Sequence, residues 1–253
     1  MTEILHIENL GISFGGLRAV DEFELSMKEN ELVGLIGPNG AGKTTIFNLL
    51  TGVYTPTDGK ILLNNKDITG KKPNDIVLLG SCRTFQNIRL FKNMTVIDNI
   101  KIAYHNSMKY SYFGSVFKTK KYREEEAKAE KVAIDLLKVF ELDSYQNSLA
   151  KNLPYGKQRK LEIARALATN PEVLLLDEPA AGMNPQETEE LMETIKFIKS
   201  KFKISILLIE HDMKLVMGIC ERLIVVDYGK IIAKGSPEQI RKNPQVIKAY
   251  LGV

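Results

Sequence analysis

The sequence predicts an α/β fold with a core of parallel strands, preceded by short strands with turns, and a helical subdomain inserted into the core. Three observations carry that prediction. The apolar run Leu32-Val33-Gly34-Leu35-Ile36 leads directly into Gly37-Pro38-Asn39-Gly40-Ala41-Gly42-Lys43-Thr44-Thr45, the pattern G-x-x-x-x-G-K-[ST] set between a strand and a helix. Three later runs, Val173 to Leu176, Ile204 to Ile209 and Leu223 to Val226, are apolar on both faces of the pleat, as buried parallel strands must be. Between about residues 85 and 170 strand signals fade and a helical period replaces them.

From the N-terminus, short strands are expected at Ile4 to Ile7 and Phe23 to Met27, with a turn at Gly15-Gly16 between them, and then at Leu32 to Ile36. A helix follows over Thr45 to Leu50. Thr55-Pro56-Thr57-Asp58-Gly59 reads as a turn and Lys60 to Leu63 as another strand. Tyr104 to Tyr122, rich in aromatics and Lys, reads as a long connection. The next helix spans Tyr122 to Leu142, with Val132, Leu136, Val139 and Phe140 on one face and Glu124 and Lys128 as an i,i+4 pair on another. Lys118, Lys120, Lys121 and Arg123 read as solvated charges, with Glu124, Glu125 and Glu126 opening the helix where its dipole favours acids. A helix of roughly Gln186 to Lys199 lies between the first two buried strands and makes a βαβ crossover; ligands bind at the carboxyl ends of such strands.

The bulk numbers narrow the class. With 253 residues, 44% hydrophobic and 26% charged, the chain is long enough to bury most of its apolar surface. Its apolar runs are strand-length, short of the ~20 residues a membrane-spanning helix needs. Met1-Thr2-Glu3-Ile4-Leu5-His6 has neither the basic region nor the apolar core of a signal peptide, so a cytoplasmic location is expected. Two cysteines, Cys82 and Cys220, are too few for a disulfide framework or a four-ligand zinc site and are expected as reduced thiols. A net charge of +4 is mildly basic, and neither internal repeats nor low-complexity tracts occur.

The glycine-rich stretch has a direct physical use. Glycines let the backbone fold around an anion, successive N–H groups point inward, and the following helix presents its positive end to phosphates. Lys43 would hold the β- and γ-phosphates and the Thr44 hydroxyl would ligate Mg²⁺. Val173-Leu174-Leu175-Leu176-Asp177-Glu178-Pro179 is a buried strand ending in two carboxylates; alternation along the strand would let one orient Mg²⁺ and the other reach an attacking water. Ser205-Ile206-Leu207-Leu208-Ile209-Glu210-His211-Asp212 is a second such strand, ending in a histidine.

With these residues in place, the chain resembles the ATP-binding-cassette (ABC) transporter ATPases along nearly all its length. Gly37 to Thr45 match Walker A, Phe85-Gln86-Asn87 the Q-loop, Leu153-Pro154-Tyr155-Gly156-Lys157-Gln158 the signature, Val173 to Glu178 Walker B, Ala181-Gly182-Met183-Asn184 the D-loop and His211 the switch histidine. Phe14 matches the aromatic that stacks on adenine. The signature departs from the common LSGGQ: Pro154 has neither a hydroxyl nor a backbone N–H, so two phosphate donors are absent. A finer resemblance, to the LivG-type ATPases of branched-chain amino acid importers, rests on Arg83 to Phe91, Leu153 to Gly156, Pro179 to Pro185 and Glu210 to Met217. ATPases of urea uptake and of lipopolysaccharide export are also similar.

The resemblance implies one P-loop NTPase domain over residues 1–253 with a RecA-like parallel core: residues 1–85 and 171–253 form the core with an N-terminal antiparallel β-subdomain, and residues 86–170 the helical subdomain. It implies ATP and Mg²⁺ as cofactors, with Thr44, Asp177 and Gln86 at the metal, Glu178 as general base and His211 at the γ-phosphate. It further implies a second ATPase subunit that sandwiches two ATP molecules head to tail, transmembrane permease subunits, an extracellular substrate-binding protein acting indirectly, no nucleic acid, and a peripheral place on the cytoplasmic face of the bacterial inner membrane. A permease helix is expected to dock near Gln86, where Ile88, Leu90 and Phe91 interleave with Asn87, Arg89 and Lys92. A rival class, soluble ABC ATPases acting on nucleic acid or ribosomes, carries a long coiled-coil insertion or two cassettes in one chain, and this sequence has neither.

Overall fold

A computed structural model describes residues 2–105, 108 and 115–251, so most of the expected Tyr104 to Tyr122 connection lies outside the described residues. The chain divides into two units, Met1–Gln86 with Glu172–Val253, and Asn87–Pro171.

The first unit holds two sheets. Strands β1 (Glu3–Phe14), β2 (Leu17–Lys28), β4 (Asp58–Leu63) and β5 (Lys66–Asp67) form an antiparallel sheet in the order β2-β1-β4-β5. The second sheet runs β10-β9-β3-β8-β7-β6, built from β3 (Leu32–Ile36), β6 (Ser81–Arg83), β7 (Val173–Asp177), β8 (Ser205–Ile209), β9 (Arg222–Asp227) and β10 (Lys230–Gly235). All its pairs are parallel except the edge pair of β9 with β10. Every residue of β3, β7 and β8 is buried, which is why these strands read as continuous apolar runs. Helix α1 (Lys43–Leu50) contributes Ile46, Phe47, Leu49 and Leu50 to the core that these sheets enclose, alongside Phe23, Leu35, Leu175 and Ile209.

The N-terminal hairpin is longer than the two short strands expected. Each arm runs 12 residues, and register shifts along β1, near the left-handed Asn9 (φ 46°), break the in-out alternation that would have marked its second half. The Gly15-Gly16 turn falls where expected. Other elements of this unit are α2 (Pro73–Leu78), a longer crossover helix α6 (Pro185–Phe202), α7 (Met213–Ile219), α8 (Pro237–Arg241) and α9 (Pro244–Leu251).

In the second unit, helices α3 (Val96–Tyr104), α4 (Lys120–Val139) and α5 (Tyr155–Leu167) pack on one another. The boundaries of α4 differ from expectation. Thr119 caps it, its hydroxyl accepting from the Tyr122 N–H, so the helix starts before Tyr122 and Glu124 to Glu126 stand beyond its first turn. Its buried face carries Ala129, Ala133, Leu136 and Leu137, with Phe140 just beyond it, while Val132 and Val139 are half-buried; the small alanines let the helix approach its neighbours closely. Lys128 pairs with Glu125 at 2.7 Å and not with Glu124, whose nearest cation is Lys120 at 3.9 Å; the i,i+3 spacing brings side chains together as readily as i,i+4.

Candidate active site

Four adjacent strands of the parallel sheet deliver their carboxyl ends to one place. Strand β3 ends in the glycine-rich loop, β6 leads into Phe85-Gln86, β7 ends in Asp177-Glu178 and β8 in Glu210-His211. Gly37 cannot be replaced here: its φ is +155°, and a Cβ would meet the Val226 carbonyl oxygen at 2.0 Å. Gly42, left-handed at φ 101°, caps α1 with no side chain between the helix N-terminus and a ligand. Asn39, Gly40 and Thr44 are exposed, Pro38 and Thr45 half-buried and Ala41 buried. The Lys43 ammonium donates to the Gly37 and Pro38 carbonyls at 2.7 and 2.9 Å, bridging its own loop. Burial holds its pKa below the ordinary lysine value, and the charges of Glu178 and Asp177 oppose that shift.

The two carboxylates of the β7 end have different partners. Asp177 is buried and accepts from Arg83 Nη2 at 2.6 Å. Glu178 lies beyond the strand, and its left-handed backbone (φ 45°), not continued alternation, turns it away from Asp177. Such a conformation costs a non-glycine residue on the order of 1–3 kcal/mol and clusters at functional sites. Its backbone N–H donates to the Ile209 carbonyl at 2.9 Å, so β8 holds the strained turn. Glu178 Oε2 accepts from Gln86 Nε2 at 2.6 Å and stands 3.6 Å from His211 Nδ1. Gln86, Glu178 and His211, named separately in the sequence, therefore converge on one carboxylate oxygen.

Neighbouring motifs are held from behind. Glu210 is 1% exposed and accepts from the N–H groups of Ala180 (2.7 Å), His211 (3.1 Å) and Asp212 (3.4 Å), joining the D-loop to the strand end of β8. Burial pushes its carboxyl above the usual range, and the three N–H donors partly offset this. Within the D-loop Ala181 and Met183 are half-buried, Gly182 takes φ 78°, and Asn184 caps α6: its side chain accepts from the Glu187 N–H, and Glu187 accepts from the Asn184 N–H. Phe14, 45% exposed at the end of β1, meets Tyr54 edge-on at 5.2 Å.

The signature residues lie in the second unit at the start of α5. Leu153 is buried, Pro154 and Tyr155 are exposed, and Gly156, Lys157 and Gln158 are half-buried. Pro154 occupies the N-cap without any side-chain cap. Lys157 sits 5.0 Å from the centre of the Tyr145 ring, and Gln158 donates to the Leu153 carbonyl at 2.8 Å. Of the apolar residues expected to face a partner, Leu90 is 9% exposed and packs inside its unit, whereas Phe91 is 48% exposed and lies 5.7 Å from the Arg165 guanidinium. The apolar residues of this segment are thus divided between core and surface.

Two residues that organise the site, Arg83 and Glu210, had no role assigned from sequence. Arg83 closes the three-residue strand β6 and Glu210 directly follows β8, and a charge shielded from water at such a place requires a partner.

A family model described as "ABC transporter" matches residues 20–181, more than half of the chain. The chain belongs to the ABC transporter ATPases. It binds and hydrolyses ATP. A second model, "Branched-chain amino acid ATP-binding cassette transporter", matches residues 230–253. The chain is 50% identical to the high-affinity branched-chain amino acid transport ATP-binding protein LivG of Escherichia coli (strain K12), over 98% of both chains. It is 48% identical to BraF of Pseudomonas aeruginosa, described in the same words, again over 98% of both. Among solved structures it is similar to a nucleotide-free ATP-binding cassette from an ABC transporter, with TM-score 0.86, 34% identity and full coverage of both chains. An ATP-binding cassette of an ABC transporter in its ADP conformation also matches with TM-score 0.86, at 33% identity over the whole of both chains. No helix among the described residues is long and apolar enough to cross a membrane.

Proposed function

We propose that this chain is the ATP-hydrolysing subunit of a membrane importer whose cargo is branched-chain amino acids, and that residues 1–253 make one cassette. The observation that carries the catalytic part is the convergence of Gln86 and His211 on the Glu178 carboxylate, with Lys43 close enough to Asp177 and Glu178 to feel both charges. The cargo assignment is supported by the functions of the relatives LivG and BraF and by the family match at residues 230–253.

In this reading Lys43 and the N–H groups of Gly37 to Thr45 bind the triphosphate, and Phe14 stacks on adenine. The donor set fits Mg²⁺, a hard cation that takes one or two carboxylates together with phosphate oxygens and waters: Thr44, Asp177 and Gln86 would hold it through oxygen. When bound, Mg²⁺ neutralises charge on the β- and γ-phosphate oxygens. Glu178 accepts a proton from the attacking water as its oxygen bonds to the γ-phosphorus and the bond to the β-bridging oxygen breaks. Gln86 orients that water, and His211 steadies the γ-phosphate. Leu153 to Gln158 of one subunit close over the ATP of the other, with Ala181 to Asn184 lining the junction between subunits. The partners are a second ATPase subunit, transmembrane permease subunits and, through them, an extracellular binding protein; the place is the cytoplasmic membrane face.

The test is reconstitution of the chain with its permease and binding protein in liposomes. Leucine, isoleucine or valine outside is expected to stimulate ATP hydrolysis and to accumulate on the far side. Stimulation by urea, with no response to these amino acids, would contradict the cargo assignment.

A further inference from the structure

Arg83 stands at the end of β6, three residues before Gln86, and its guanidinium touches three elements of the site. Nη2 donates to Asp177 Oδ2 at 2.6 Å, and Nη1 donates to Asn48 Oδ1 at 2.7 Å and to Thr51 Oγ1 at 3.4 Å. The guanidinium lies over two rings, 5.4 Å from the centre of Phe47 and 5.1 Å from that of Phe85. Its side chain is 6% exposed and that of Asp177 is 7%, so the pair is shielded from solvent. Phe47, Asn48 and Thr51 belong to α1 or its last turn, the helix that carries Thr44; Phe85 adjoins Gln86.

We propose that Arg83 is a positioning residue that fixes the Asp177 carboxylate relative to the helix bearing Thr44, and thereby sets the affinity of the site for Mg²⁺. The proposal rests on the reading that Asp177 holds Mg²⁺. The geometry favours it over simple charge balance for two reasons. Asp177 Oδ2 accepts from one arm of a planar fork whose other arm is tied to α1, so the position of that carboxylate oxygen is referred to a different element. The two rings pack against that fork, and the contact with Phe85 makes it sensitive to the placement of the Gln86 segment. An ammonium in this position would be a point charge without a plane.

Whole-chain wild type, R83K, R83M and D177N are compared by Mg²⁺ titration of a bound fluorescent ATP analogue, by binding of the same analogue in EDTA, and by thermal melting. In EDTA, R83K and R83M are expected to bind the analogue within about two-fold of wild type. The Mg²⁺ half-saturation is expected to rise roughly ten- to hundred-fold in R83M, the range found when a residue supporting a metal ligand is lost, and by a smaller factor in R83K, whose charge remains. R83M leaves a buried carboxylate without its partner; if it does not fold, R83K decides alone. An unchanged half-saturation in folded R83K overturns the proposal, as does an equal loss of nucleotide affinity with and without Mg²⁺. D177N separates the two readings. If it leaves the Mg²⁺ half-saturation unchanged, the metal assignment itself fails; if it raises the value while both Arg83 variants do not, only the positioning role fails.

Discussion

Three carboxylates at neighbouring strand ends have different environments. Asp177 is buried against a guanidinium, Glu178 is turned out by a left-handed backbone toward Gln86 and His211, and Glu210 is buried against three backbone N–H groups. Glu210 gives the clearest pH signature. Its carboxyl is neutral in both folded and unfolded chains below its ordinary value of 4.5, and above that pH the unfolded chain ionises first because burial raises the folded value. The stability this group contributes is therefore full below pH 4.5 and is lost as pH rises through the folded value. Glu210→Gln keeps an acceptor for the Ala180 N–H but cannot ionise. Its melting temperature relative to wild type is expected to climb as pH is raised from 4.5, and a difference independent of pH would contradict this account of Glu210.

At the scale of elements, legibility follows burial. Strands β3, β7 and β8 were readable because burial on both faces demands unbroken apolar runs. The second half of β1 was not, because its register shifts mix the two faces. Helix α8 announces itself in another way: Ser236-Pro237 with Gln239 forms a capping box, a signal that apolar periodicity passes over in so short a helix. Arg83 was unreadable because its partners, Asn48, Phe47 and Asp177, lie 35, 36 and 94 positions away. Helix α5 supplies the prediction at this scale. Pro154 sits at its N-cap and offers the helix no side-chain acceptor. In Pro154→Ser the hydroxyl is placed to accept from the Lys157 N–H, which is expected to stabilise the isolated chain by about 1 kcal/mol in denaturant unfolding. The restored hydroxyl and N–H should also tighten ATP-dependent pairing by roughly 1 kcal/mol in a hydrolysis-blocked background. Weaker pairing would mean that the proline itself makes the contact.

On the scale of the whole molecule, the family was legible as an ordered series of motifs, and so were the residues proposed to carry catalysis, while the surface proposed to meet the permease was only partly so. Leu90 and Phe91 are adjacent and both apolar, yet one is buried and the other exposed, and no periodicity within a short irregular segment distinguishes them. That division centres the docking prediction on Phe91, with Ile88 half-buried. Phe91→Ala is expected to spare ATP binding, basal hydrolysis and the melting temperature of the isolated chain, but to weaken pull-down of the membrane subunits and abolish cargo-stimulated hydrolysis. Unchanged assembly would assign Phe91 to local packing with Arg165 alone. The central claim is that Glu178 is the base that activates water for ATP hydrolysis, and it is tested most directly by steady-state turnover of Glu178→Gln at saturating ATP and Mg²⁺. The account predicts a rate lower by on the order of 10²-fold or more with ATP affinity retained within about two-fold, since a positioned general base contributes at least that much. Turnover equal to wild type in a folded, ATP-binding Glu178→Gln chain would contradict it.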